Sequence, residues 1–353
     1  MTDLFKKVLR DDESLFKDQL VLDYEFVPPD VKGRIKEKEF IAFCIKPLFS
    51  ERSGKNILAY GIPGIGKTVS CRHVLDELKK ETSEISPIYI NCWKKNSAHK
   101  VVLEICKQIG YNFIANRTTE ELLDKISRIL NKKASVIVFD EFDKLKKDVD
   151  FLYNLIEDVS KKTIIIITND KDWLTNLDSR IKSRLFLEEL EFKPYNQNEV
   201  FEILKQRIDF AFFPNVFSDE ALETIVNKTF ELKDVRTGIY LLKETGDFAE
   251  LEASRTITKE HAIKAINKLD KLNVRSDRVE EKNDELLKLI EENKNITTSD
   301  LFKKYSKNIS YKTLLRRLQD MQKTGLVELK TINKGECKKT IVNIKEFKKI
   351  SDF

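Results

Sequence analysis

Through the N-terminal half of the chain, short apolar runs alternate with longer stretches in which apolar residues recur every three or four positions. The runs are "NILAY" (56–60), "PIYIN" (87–91), "SVIVF" (135–139), "TIIIIT" (163–168) and "LFLEELEF" (185–192). Several are too continuous for a half-exposed strand and too short for a helix, which suits parallel strands covered on both faces. Between them, "TVSCRHVLDELKK" has Val69, Val74, Leu75 and Leu78 at helical spacing, and "VDFLYNLIEDV" follows the same period. The alternation predicts an α/β fold with a five-stranded parallel sheet and helices on both faces.

Beyond residue 195 the strand signals stop. "NQNEVFEILKQRIDFAF", "SDEALETIVNKTFEL", "VRTGIYLLKETGDFAELEA" and "TKEHAIKAINKL" all carry the helical period, two of them opening on the cap residues Ser218 and Thr258. The polar stretch "NVRSDRVEEKND" (273–284) reads as a linker. After it come three helical stretches ("DELLKLIEENK", "TTSDLFKKYSK", "SYKTLLRRLQDMQKTG") and two strands ("LVELKTI", "TIVNIKE") joined by "NKGECKK". Three helices and a hairpin outline a winged helix. The divisions expected are an α/β domain over 1–193, a helical lid over 194–279 and a winged helix over 280–353.

Composition narrows the class. Charged residues make up 35% of the 353 and apolar ones 41%, as in a folded chain rich in Lys and Glu. No apolar run approaches the roughly 18 residues of a membrane helix, and the opening "MTDLFKKVLRDDESLF" is charged where a signal peptide is apolar. A cytoplasmic protein with no membrane partner is expected. Cys44, Cys71, Cys92, Cys106 and Cys337 are scattered without metal-pair spacing, which predicts reduced thiols. The net charge of +5 is unevenly spread: residues 1–279 hold 47 basic and 47 acidic side chains, whereas from Lys294 onward there are 15 basic and 6 acidic. A polyanion is therefore expected at the C-terminal region.

Candidate chemistry begins at "GIPGIGKT" (61–68), set between a strand and a helix. Gly61, Gly64 and Gly66 allow a tight turn with N–H groups aimed inward, Lys67 reaches the β- and γ-phosphates of a nucleotide, and the Thr68 hydroxyl can ligate Mg2+. Ile62, Pro63, Ile65 and Val69 complete the loop. The "SVIVF" strand ends in Asp140 and Glu141, the first placed to hold Mg2+ and the second to polarise an attacking water. "TIIIIT" ends in Asn169, placed to sense the γ-phosphate or orient that water.

The order of these motifs resembles that of an AAA+ P-loop ATPase, and more specifically the archaeal origin-recognition/cell-division-cycle (Orc/Cdc) type replication initiators. The residues carrying the resemblance run from "YEFVPPDVKGRIKEKEF" (24–40) through "YINCWKKNSAHKVVLEICKQIG", "VFDEFDKL", "TND" and "LDSRIKSRLFLEELEFKPY", nearly the whole chain in order. The resemblance implies that Val27, Pro28 and Arg34 pack around adenine and that "KPY", ending in Tyr195, is the hinge into the lid. Arg184 matches an arginine finger that reaches a neighbouring subunit's γ-phosphate, with Arg180 as competitor. Arg236 matches the lid arginine that reads the γ-phosphate in cis, although Lys233 stands where the family usually has Gly. A helical element that touches DNA is implied near Cys106–Leu122.

In the last helical stretch Leu314, Leu315, Leu318 and Met321 form an apolar face, while Lys312, Arg316, Gln319 and Lys323 fall along the opposite side. Arg and Gln suit base edges and Lys suits phosphate. Lys334, Lys338 and Lys339 would form a wing around Gly335. The expectation from residues and resemblance together is a nucleoid-associated initiator that binds double-stranded origin DNA under ATP/ADP control with Mg2+. It would recruit or help load the replicative helicase, contact itself or paralogues on DNA, and hydrolyse ATP slowly as a switch. Clamp- or helicase-loader remodelling and a regulatory signalling ATPase are the alternatives.

Overall fold

The computed structural model describes residues 14–145, 148–293, 296–305, 310–323, 327–334 and 337–344. It divides into two compact units, Met1–Ile266 and Asn267–Phe353.

In the first unit the five expected strands form: β1 (Asn56–Tyr60), β2 (Ile85–Asn91), β3 (Ala134–Asp140), β4 (Lys162–Thr168) and β5 (Leu187–Glu191). They lie in the order β2-β3-β4-β1-β5, all parallel. Because side chains alternate along a strand, each central strand feeds two cores. Ile57, Ala59, Val136, Val138, Ile165 and Ile167 pack with helices α1 (Ile35–Ile45) and α2 (Lys67–Glu81). Leu58, Ile88, Ile90, Ile137, Phe139, Ile164 and Ile166 face the other way. There they meet α3 (Ala98–Gln108), α4 (Thr119–Leu130), α5 (Phe151–Asp158) and α6 (Ser179–Leu185). β3 is buried along its whole length, which is why it reads as an unbroken apolar run.

The remainder of this unit is helical: α7 (Gln197–Ala211), α8 (Asp219–Leu232), α9 (Val235–Leu251) and the start of α10 (Lys259–Glu292). Local chemistry starts the first three of these helices. Asn196 and Glu199 form a reciprocal capping box on α7, Ser218 caps α8, and Asp234 caps α9. The N-terminal segment is laid along these helices. Phe16 bridges to Phe212 with ring centroids 4.7 Å apart, and Arg207 of α7 donates to the carbonyls of Val21 (2.7 Å) and Phe26 (3.2 Å).

The second unit holds the C-terminal part of α10, then β6 (Ile296–Thr297), α11 (Thr298–Lys304), α12 (Tyr311–Lys323) and a hairpin of β7 (Val327–Lys334) and β8 (Cys337–Ile344). The sheet order is β6-β8-β7, antiparallel throughout. Leu286, Ile290, Leu301, Tyr305, Leu314, Leu318, Met321, Val327 and Val342 form its core.

Two expectations are corrected. The stretch read as a linker over 273–284 is helical, part of a 34-residue α10. It contains no Gly or Pro, and polarity alone does not break a helix. The connection "NKGECKK" is also shorter than expected. The ladder extends to the pair Lys334 and Cys337, so Lys338 and Lys339 belong to β8, paired with Asn333 and Ile332. Backbone hydrogen bonding tolerates the polar residues that the pattern assigned to a loop. Gly335 lies outside the described residues.

Candidate nucleotide site and nucleic-acid face

The loop between β1 and α2 sits at the carboxyl end of the sheet, where open α/β sheets take ligands. Its glycines adopt positive φ (Gly61 148°, Gly64 77°, Gly66 91°), conformations that side chains rarely tolerate. The N-terminus of α2 follows directly on Gly66, so unpaired N–H groups and the helix dipole point into the loop. Lys67 is buried, and its Nζ donates to the carbonyls of Gly61 (2.7 Å) and Ile62 (2.8 Å) and to Asn169 Oδ1 (2.8 Å). Burial lowers its pKa to about 8, partly opposed by Glu141 and Asp140.

The β3 and β4 termini converge on this lysine. Asn169 Nδ2 donates to Glu141 Oε2 at 2.8 Å, giving a continuous chain Lys67, Asn169, Glu141. Glu141 takes φ 54°, the left-handed region, and this bend turns its side chain away from the line of β3. Asp140 is 2% exposed. Its Oδ2 accepts from Thr68 Oγ1 (2.8 Å) and from the Tyr89 hydroxyl (2.6 Å), and its Oδ1 accepts the Glu141 N–H (3.0 Å). Burial raises the Asp140 pKa, and these donors oppose the rise. Burial and the Asp140 charge both push the Tyr89 phenol up, so it is a donor here. Thr68 and Asp140 present only oxygen atoms, a donor set that fits a hard divalent cation such as magnesium.

One pocket joins Lys67, Thr68, Glu141 and Asn169 to the helices beyond β5. Val27, Pro28, Pro63, Gly64, Ile65, Gly66, Lys67, Thr68, Val69, Glu141, Asn169, Tyr195 and Arg236, spread over more than 200 positions, line it together, whereas Gly61, Ile62 and Asp140 are not on its wall. Tyr24, Phe26, Val31, Arg72, Ile203, Arg207 and Ile239 also line it, and sequence reasoning passed over them. Arg207 and Arg72 carry no motif signal. The apolar lid residues Ile203 and Ile239 were legible only as helix-face positions.

Arg34 is not on the pocket wall. It is buried behind the loop, where its guanidinium donates to Ile65 O (3.1 and 2.9 Å) and Lys193 O (2.6 Å) and stacks 3.8 Å from the Tyr195 ring centroid. It therefore ties the phosphate loop to the lid hinge. On the lid side the first turn of α9 meets the loop: Val235 N donates to Gly64 O at 3.2 Å. A Cβ at Gly64 would fall 1.9 Å from Asp234 Oδ1. Asp234 also holds Arg236 through Nε (3.2 Å) and Nη2 (3.1 Å). Lys233, just before, adopts φ 54° and ψ 25°, the left-handed conformation that glycine takes without strain.

Arg184 and Arg180 lie on α6, away from this pocket. Arg184 pairs with Glu157 and lies over the Tyr153 ring, and Arg180 pairs with Asp178 at 3.1 Å. The Cys106–Leu122 segment forms the end of α3, a loop and the start of α4, and Phe113 on the loop is 78% exposed.

In the second unit α12 buries Leu314, Leu318 and Met321 and exposes Lys312, Arg316 and Gln319. These three polar side chains share the side opposite the core, as a helix entering a groove requires. Lys323 ends the same helix, and Lys334, Lys338 and Lys339 lie in the hairpin strands; their side chains fall outside the described residues. Among the described residues no helix is long and apolar enough to cross a membrane.

Comparison with known proteins follows the same division. Residues 51–171 match the model of an AAA domain, and residues 201–267 match the Cdc6 AAA+ ATPase-type lid domain. An ORC1-type DNA replication protein of Methanocorpusculum labreanum is 32% identical over 75% of this chain and 68% of its own length. That of Pyrococcus furiosus is 29% identical over 96% of this chain and 89% of its own. Among solved structures, the Aeropyrum pernix ORC1 protein in complex with DNA superposes with a TM-score of 0.69 at 23% identity, covering 95% of both chains. The AAA domain and the Cdc6-type lid thus follow one another along the chain, and with 32% identity over two thirds of the Methanocorpusculum labreanum protein the chain belongs to the family of ORC1-type DNA replication proteins.

Proposed function

We propose that the protein is a replication initiator whose ATP or ADP state, read between the phosphate loop and the lid, governs its engagement of duplex origin DNA. The observation that carries this is the joining of both ends of the nucleotide site in one pocket. Lys67, Asn169 and Glu141 approach from the sheet, and Arg236 approaches from the first turn of α9. A γ-phosphate at the mouth of the loop would face both, so its loss would change what holds the lid. That suits a slow switch.

Roles follow from position. The glycine loop and the α2 N-terminus cradle the phosphates, while Val27, Pro28, Val31 and Ile203 offer an apolar wall for a base. Thr68 and Asp140 would hold magnesium, which when bound neutralises phosphate charge. Glu141, kept in place by Asn169, takes the proton of the attacking water. Arg184 is engaged by Glu157 on its own chain, and a role in trans on a second copy or a paralogue would require that pair to open.

DNA is assigned to the second unit, read as a winged helix, with α12 in the major groove and the hairpin against the backbone. The exposed Lys312, Arg316 and Gln319 support this, as does the complex with DNA formed by the Aeropyrum pernix protein. Recruitment of the replicative helicase belongs to the same reading, as does a place beside the nucleoid. The test is binding of the full chain to random and origin-derived duplexes over a salt series, with ATP and with ADP, beside Arg316→Ala. Salt-sensitive binding whose sequence preference weakens in the variant is expected, with a loss of about 1–3 kcal/mol at the contacted base. Absence of duplex binding at every salt concentration sinks the reading.

A further inference from the structure

Tyr89 opens the stretch "YINCWKKNSAHKVVLEICKQIG" but has no chemical role assigned by any motif, yet its hydroxyl makes a 2.6 Å hydrogen bond to Asp140 Oδ2. The parallel register makes this possible. Tyr89 stands opposite Val138 and Asn91 opposite Asp140, so Tyr89 and Asp140 are diagonal neighbours on one face of the sheet. Asp140 has two side-chain donors among the described residues, Tyr89 and Thr68, and both reach the same oxygen. In the function proposed above, on which this inference rests, the Thr68 hydroxyl is shared with the cation. Tyr89 is then the side-chain donor to this carboxylate that the cation does not share.

Tyr89 is itself held from two directions. β2 is an edge strand, and the Gln108 side chain of α3 takes the place of a further strand beside it. The Tyr89 N–H donates to Gln108 Oε1 (3.0 Å), and Gln108 Nε2 donates to Tyr89 O (2.7 Å). The Arg72 guanidinium lies 5.4 Å from the ring centroid. A carboxylate that must meet a cation with fixed geometry gains from such support, because partners of metal ligands set both their orientation and their affinity.

We propose that Tyr89, pinned by Gln108, is a positioning residue that fixes the Asp140 carboxylate for the cation-assisted binding of nucleotide. The experiment uses the full chain and a fluorescent ATP analogue, titrated in EDTA and then over a magnesium series, for wild type, Tyr89→Phe and Gln108→Leu, with thermal melting alongside. In Tyr89→Phe the affinity in EDTA is expected to match wild type, while the magnesium concentration at the midpoint rises by about 10-fold. Gln108→Leu leaves the hydroxyl in place, releases the strand edge, and is expected to shift the midpoint in the same direction; it also serves if the phenylalanine variant does not fold. A midpoint unchanged in the variants overturns the proposal. So does an equal loss of affinity with and without magnesium, which a merely structural ring would produce. Wild-type binding with no magnesium dependence removes the cation reading itself, and the wild-type curve tells that failure apart from a failure of Tyr89 alone.

Discussion

Lys233 and Glu141 share a positive φ of 54° but differ in what the strain accomplishes. Lys233 ends α8 in a left-handed turn whose backbone geometry glycine would adopt freely, and no catalytic contact depends on its side chain. Lys233→Gly is therefore expected to stabilise the fold by about 1 kcal/mol in urea denaturation, and a loss of stability would show that the turn is unstrained. At Glu141 the bend delivers the carboxylate to Asn169. Glu141→Gln should slow phosphate release in single-turnover assays by at least about 100-fold while nucleotide still binds. An unchanged rate would assign the base elsewhere. Glu141, Asn169 and Lys67 were all legible in the sequence, since each sits at a strand end or loop of recognisable composition. Tyr89 was not, because its significance lies in an oxygen 51 residues away.

Between elements, Arg34 shows how a residue can be found for one reason and act for another. The motif at residues 24–40 points to the base, whereas the guanidinium joins α1, the phosphate loop and the hinge after β5. Its planar fork serves two carbonyls and a ring face at once, which a lysine ammonium does not reproduce. Arg34→Lys should lower stability by about 2 kcal/mol and weaken nucleotide binding in parallel, as read by denaturation and by titration. Retention of both would mean that the fork is dispensable. The helices themselves were readable from period and caps, but α10 ran through a segment whose polarity suggested a linker. Polar composition reports solvent exposure, and only Gly, Pro or competing caps report a helix end.

At the scale of the whole molecule, binding should be visible as stability. Nucleotide at 100 times its Kd is expected to stabilise the nucleotide-binding unit by about 2.7 kcal/mol, seen as an upward shift of its calorimetric transition. No shift with either ATP or ADP would remove nucleotide from the pocket. The sequence by itself determined the parallel sheet, the lid helices, the apolar face of α12 and the phosphate loop. Periodicity, glycine placement and strand-end carboxylates are encoded within a few consecutive residues, so they survive without tertiary context. Only the folded chain decided that Asp234 lies against Gly64, that Arg207 reaches back 186 residues to Val21, and that Arg34 stands behind the loop. Those contacts join residues far apart in sequence, and they depend on side-chain direction and packing that no local pattern specifies.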